Sequence, residues 1–250
     1  MEINEVDALR AAIVRECAVE FGALGWESTG TDMLPHFSRP GSTEIVYELG
    51  VGCRVMRVGS LGAVAVVRGI SLGATAGVRH VVVSDLLGQL TGEPPAGKVV
   101  ESRERLMPMF YYTLRDAPRD PVPHDWRDTW ITTPGEAASV VATLRADLLA
   151  HGMPFLCGYT TLADVIGYLE QQTKRGPHQR RALAIAQALS GRIDDALATL
   201  AQFVDWDAAT AHQTGAPEAD TPYYRPFFVG FVAHFNVEAA RLPPQVARVL

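Results

Sequence analysis

The amino-acid sequence predicts an α+β fold, in which an antiparallel β-sheet packs with helices and a helical C-terminal extension follows. Residues 43–55 alternate between apolar and polar side chains, which is typical of a strand with one buried face. Short turns separate the neighbouring strand candidates, and a parallel pair would need a long crossover instead. From residue 133 onward, apolar residues recur at helical spacing.

The composition of the 250-residue chain limits the classes of protein to which it can belong. With 48% hydrophobic and 20% charged residues it can bury a substantial core, which excludes wholesale disorder. Its net charge of -6 disfavours indiscriminate binding to nucleic acid. The first residues lack the basic start and apolar run of a signal peptide, and no apolar stretch approaches the roughly 18 residues that span a bilayer. We therefore expect a cytoplasmic protein that binds neither nucleic acid nor membrane.

The three cysteines, Cys17, Cys53 and Cys157, are far apart in the sequence. Because no C-x-x-C pair exists, neither a zinc knuckle nor a thioredoxin-type redox pair can form from local spacing. We expect buried, reduced thiols, as is usual in cytoplasmic proteins.

The first part of the chain predicts a helix followed by a β-hairpin. In residues 4–24 the apolar side chains fall on one helical stripe, and Gly22 and Gly25 are expected to end that helix. Residues 33–39 can pair with residues 43–55 across a Pro-Gly-Ser turn.

Further strands are predicted after the hairpin. Residues 62–72 and 78–83 are two strand candidates separated by a turn at 73–77, and residues 84–90 could form one helical turn. Residues 105–115 are apolar enough for another strand.

The stretch from residue 133 to residue 172 predicts two capped helices. Thr133 and Glu136 form a capping box for the first helix, and Thr161 with Asp164 repeats the pattern for the second. Gly152 is expected to stop the first helix before a Met-Pro-Phe-Leu connection. Folding alone explains all of these signals.

The character of the chain changes after this pair, and we place a soft boundary near Arg175. The predicted organisation is an α+β domain at residues 1–175 and a helical extension at 176–250, docked on the first. Helices are expected in the extension at residues 178–189, 193–204 and 226–241.

The order of these features resembles the bacterial domain of unknown function 4304. The resemblance covers about the first 172 residues: an amphipathic helix with a Gly-x-Gly-Trp end, the strand EIVYELGVGCRV, a Trp before a capped helix, and HGMPFLCGYTTLADVIGYLE. It implies an α+β domain without established enzymatic activity, and it transfers no catalytic residue. Such domains fit small interaction proteins, including the immunity proteins that neutralise bacterial toxins.

The motifs of common cofactor sites do not match this sequence. The glycine-containing residues 58–67 lack the lysine of a phosphate loop and lead into a strand rather than a helix. The phrase GISLGATAG fails as a dinucleotide fingerprint for the same reason. We predict no cofactor.

The proline-rich residues 91–130 are the place where an enzymatic site would lie. His124, Asp125 and Asp128 could serve a hydrolase or transferase, or donate to a metal. A metal site normally takes its ligands from two fixed elements, so we favour a loop pinned by its tryptophans, with solvated charges between them. We predict no metal and lean against an enzyme, with this loop as the alternative.

Two groups of residues are candidates for binding a partner. The polar face of the long strand carries Glu44 and Glu48, which could supply acidic contacts. The second group lies in the aromatic residues 221–235, where aromatic side chains surround an arginine, as in interface hot spots; it comprises Tyr223, Tyr224, Arg225 and Phe228. The leading prediction is a non-enzymatic protein that binds another protein. One specific possibility is an immunity-type inhibitor of a bacterial toxin. A homo-oligomer is compatible with this prediction.

The strongest basic cluster comprises Lys174, Arg175, His178, Arg180 and Arg181. A nucleic-acid site would spread such charge over a face and interleave it with aromatic residues. We interpret the cluster as a solvent-exposed linker at the end of the preceding helix.

Overall fold

The computed structural model describes residues 3–29, 35–58, 66–92, 110–113, 130–214 and 221–250. These ranges hold a six-stranded sheet and eight helices, which confirms the predicted α+β class with a helical C-terminal part. The strands are β1 (Glu27–Ser28), β2 (His36–Pro40), β3 (Ile45–Val58), β4 (Val66–His80), β5 (Phe110–Thr113) and β6 (Trp130–Ile131). The helices are α1 (Ile3–Gly22), α2 (Val81–Leu90), α3 (Pro134–Cys157), α4 (Leu162–Gln171), α5 (Pro177–Leu189), α6 (Ile193–Thr214), α7 (Thr221–His234) and α8 (Pro244–Val249).

The sheet is antiparallel, with strand order β1-β2-β3-β4-β5, and β6 pairs with β4. The predicted hairpin is confirmed, because β2 pairs with β3 in a register that places Phe37 opposite Leu49. Ser42 stabilises the turn by accepting a hydrogen bond from the backbone N–H of Ile45 at 3.2 Å. On β3 the predicted alternation also holds, since Ile45, Tyr47, Leu49 and Val51 are all buried.

The predicted turn at residues 73–77 is wrong, because β4 is one uninterrupted strand of 15 residues. Its even-numbered residues from Ile70 to Val78 are buried, so the two-residue period continues through the glycines. The strand ends at His80 rather than at residue 83. There the His80 imidazole caps α2 by accepting a hydrogen bond from the Val83 N–H at 3.5 Å.

The helix that was expected to stop at Gly152 continues to Cys157. Both predicted capping boxes are present, at Thr133 with Glu136 and at Thr161 with Asp164. Pro154 has no backbone N–H and would clash with a carbonyl one turn earlier in a regular helix. A π-helical turn at Leu148–Gly152 widens the helix just before it and absorbs this misfit, so the chain stays helical.

By length and composition alone, α3 could cross a membrane, and it is 39% buried over the apolar window. Its buried residues are Val140, Val141, Leu144 and Leu148, and the helix packs against α1. Buried stripes of this kind are typical of core helices as well. The cytoplasmic location stays a prediction.

Backbone contacts divide the chain into two compact units. The first comprises residues Met1–Val78 and Tyr111–Tyr159, and the second comprises Arg79–Phe110 and Thr160–Leu250. The second unit therefore contains the whole predicted helical extension, together with α2 and α4. The predicted boundary at residue 175 stays a prediction.

The core of the first unit lies between α1 and the sheet. The predicted stripe of α1 is buried, with Leu9, Ile13, Cys17 and Phe21 fully inaccessible to solvent. Phe21 meets Phe37 of β2 edge-to-face, with the ring centroids 5.3 Å apart. Because Phe37 and Leu49 are register partners, α1 covers the face of the sheet that carries the odd-numbered residues of β3.

The turns that end α1 and α5 share one geometry. Gly25 has a φ of +78°, and the Trp26 N–H after it donates to the Phe21 carbonyl at 3.2 Å. Gly191 has a φ of +82°, and the next N–H reaches back to the carbonyl of Gln187 in the same way. Only glycine adopts such a φ without strain, so both positions are Schellman caps.

The second unit is built around the antiparallel pair of α5 and α6. The helix α5 packs against α6, α2 and α4, and its small side chains are buried on several faces, among them Ala182, Ala184, Ala186 and Ala188. The helix α6 runs to Thr214, ten residues beyond its predicted end at 204. The helix α7 begins at Thr221 and ends at His234, so Pro226 lies inside its second turn rather than at its start.

A substitution in β4 tests the sheet directly. A Cβ atom at Gly69 would lie 2.7 Å from the Ile131 carbonyl oxygen, whereas a Cβ at Gly73 on the same strand meets nothing within 4 Å. We expect Gly69→Ala to lower the free energy of unfolding by about 1–3 kcal/mol, because β4 and β6 must separate. Gly73→Ala is the matched control and is expected to change stability little. Urea denaturation measures both, and equal effects would contradict the pairing of β4 with β6.

Candidate functional site

The residues that the sequence singled out as site candidates do not all belong to one compact unit of the structure. The alternative catalytic residues His124, Asp125 and Asp128 lie outside the described residues. Glu44 belongs to the first unit, and Tyr224 belongs to the second.

The two glutamates of the long strand have different environments. Glu44 is exposed in the turn before β3. Glu48 is only 1% exposed, so the prediction that it lies on a solvated acidic face is wrong. The reason is the neighbouring strand, where His36 lies diagonally across from Glu48 and its Nε2 atom is 3.7 Å from Glu48 Oε2.

This histidine also joins β1 to the sheet. His36 Nδ1 lies 2.9 Å from the Thr29 hydroxyl, so a hydroxyl, an imidazole and a carboxylate follow one another across three strands. A hydrolase triad has the same order of groups, but its imidazole and carboxylate are hydrogen-bonded, and 3.7 Å is beyond that distance. Strand pairing alone explains why these three groups lie next to one another. His36 and Glu48 attract each other electrostatically at this distance.

The cysteines are free, and they differ in exposure. Burial raises the pKa of Cys17 to about 12, with a further contribution from Cys53 nearby. Burial likewise raises the pKa of Cys53 to about 11, so both thiols stay protonated at neutral pH. Cys157 is exposed, contrary to the expectation of burial, and its thiol is hydrogen-bonded to Tyr47.

The aromatic segment forms α7, and its candidate residues point in different directions. Phe228 is 1% exposed and packs near Phe203 and Phe227, with ring centroids 5.9 and 5.8 Å away. It is therefore a core residue of the second unit. Tyr224 is half-buried against Phe203, at a centroid distance of 5.0 Å. Arg225 is exposed, and the side chain of Tyr223 lies outside the described part.

A groove between α2 and α7 is the main concave surface that involves these candidates. We call it the α2–α7 groove; its volume is about 630 Å³ and it is lined by Gln89, Leu90, Gly92, Arg225, Pro226, Val229 and Gly230. Both helices belong to the second unit, so the groove lies within one compact body.

The floor of the groove is the point where α7 approaches α2 most closely. A Cβ atom at Gly230 would lie 3.0 Å from Leu90 Cδ2 and 3.5 Å from its Cα. Glycine at this position therefore lets the backbones of the two helices come together.

The rim of the groove combines an exposed apolar side chain with a cation. Val229 is 48% exposed, although it lies on a helix whose neighbouring phenylalanines are fully buried. Arg225 lies one turn earlier and donates from Nη2 to the Leu250 carbonyl oxygen at 2.5 Å. That contact holds the guanidinium at the edge of the groove.

The side chains that line the groove belong to residue types that rarely act as acids, bases or nucleophiles. Its seven lining residues carry no carboxylate, imidazole, thiol or hydroxyl group. General acid–base or nucleophilic chemistry requires one of these groups in most enzymes. Across the described ranges, no group of three or more His, Cys, Asp or Glu side chains is placed to hold a metal ion.

The basic cluster at the start of α5 is not simply a solvent-exposed linker, as the sequence predicted, because two of its arginines pack on aromatic rings. Arg181 is only 4% exposed, and its guanidinium lies 5.1 Å from the centre of the Tyr224 ring. Arg180 lies over the Trp206 ring at 5.0 Å. Aromatic residues of α6 and α7 therefore contact these arginines. Sequence spacing does not reveal this, because Trp206 and Tyr224 are far from the arginines in the chain.

No family model, curated protein or solved structure matches this chain. The resemblance to the domain of unknown function 4304 therefore stays a prediction, and the assignment of function depends on the geometry above.

A leucine substitution tests the close approach of α2 and α7. Gly230→Leu should lower the free energy of unfolding by about 1–3 kcal/mol relative to Gly167→Leu, because the new side chain would overlap Leu90. Gly167, in α4, has nothing within 4 Å of an added Cβ, and both variants gain the same intrinsic helix propensity. Thermal denaturation of the two variants measures the difference. Equal melting temperatures would show that the helices are further apart than described.

Proposed function

We propose that this protein is a non-enzymatic protein-binding protein and that the α2–α7 groove is its contact surface. The observation that carries the proposal is the position of Val229, which leaves an apolar side chain exposed beside a concave apolar surface with an arginine at its rim. Apolar area that is buried on association supplies affinity, and arginine is enriched at protein interfaces.

The chemistry of the lining residues favours binding over catalysis. A protein segment that presents an apolar side chain to the groove would remove Val229 from water, a gain of roughly 25 cal/mol for each Å² of apolar surface. Leu90 is only 9% exposed and supplies the apolar floor of the contact. The amide of Gln89 and the guanidinium of Arg225 lie at the border of the same groove and can bond to the backbone of that segment.

The form of this function that we propose is an immunity-type inhibitor of a bacterial toxin. Such a protein acts by covering its partner, so it needs a rigid contact surface and no reacting group. The mildly acidic net charge of -6 and the exposed carboxylate of Glu44 suit a basic surface on the partner. In the homo-oligomeric form of the proposal, the groove binds a second copy of this chain instead of a foreign protein.

A charge placed at the rim tests the proposal. We expect Val229→Asp to abolish capture of a specific protein from the native host, because an aspartate would be desolvated in the interface. The captured protein is then purified and its affinity is measured by calorimetry, with a loss of at least about tenfold expected for the variant. The product of a neighbouring toxin-like gene is the first protein to be tried.

The matched control is Val19→Asp, which places the same charge on α1 of the first unit at a valine that is 61% exposed. It should bind as the unsubstituted protein does. Equal binding by both variants would contradict the assignment of the groove. Stoichiometric metal in the purified protein that is lost in His124→Ala would contradict the non-enzymatic proposal itself.

A further inference from the structure

We draw no further inference here: the strongest candidate, the surface patch on the outer side of α3 where Leu149 is 45% exposed beside Ala142 and Ala146, is an apolar helix face, and nothing in the described part of the structure shows what covers it.

Discussion

The second unit depends on a chain of hydrogen bonds that crosses from α6 to α4. The buried Thr199 hydroxyl donates to Gln187 Oε1 at 2.8 Å, and Gln187 Nε2 donates to Glu170 at 2.9 Å. The same carboxylate accepts from Arg192 at 2.7 Å. Because a buried polar group that loses its partner costs free energy, the Thr199–Gln187 bond favours the observed register between α5 and α6. That register places Trp206 over Arg180 at the far end of the helix pair.

The two ends of α5 differ in how their positive charges are paired. At its C-terminus the positive charges are paired and the chain turns through Gly191, so this end serves folding. At its N-terminus Arg175 and Arg180 are held together without an acidic partner in the described part of the chain. The exposed Val229 places the proposed contact surface, the α2–α7 groove, in the same unit.

The sequence predicted the structure correctly where local spacing and capping residues determine it. Its predictions were wrong where the structure depends on residues that are distant in the chain. The stripe of α1 and the Thr161 cap follow from spacing alone, and both are present. Glu48 was misplaced because its burial depends on His36 of the neighbouring strand. The stop at Gly152 was wrong because a π-helical turn accommodates the following proline. The groove could not be predicted, since it needs the close approach of Gly230 to Leu90, which are far apart in sequence.

The central claim is that the second unit carries the contact surface. Hydrogen–deuterium exchange of the full chain, with and without the protein captured from the native host, tests it most directly. The account predicts slower exchange of backbone amides on both sides of the α2–α7 groove, at the end of α2 around Leu90 and in the part of α7 around Val229. Slower exchange confined to β2, β3 and α1 of the first unit would contradict the account.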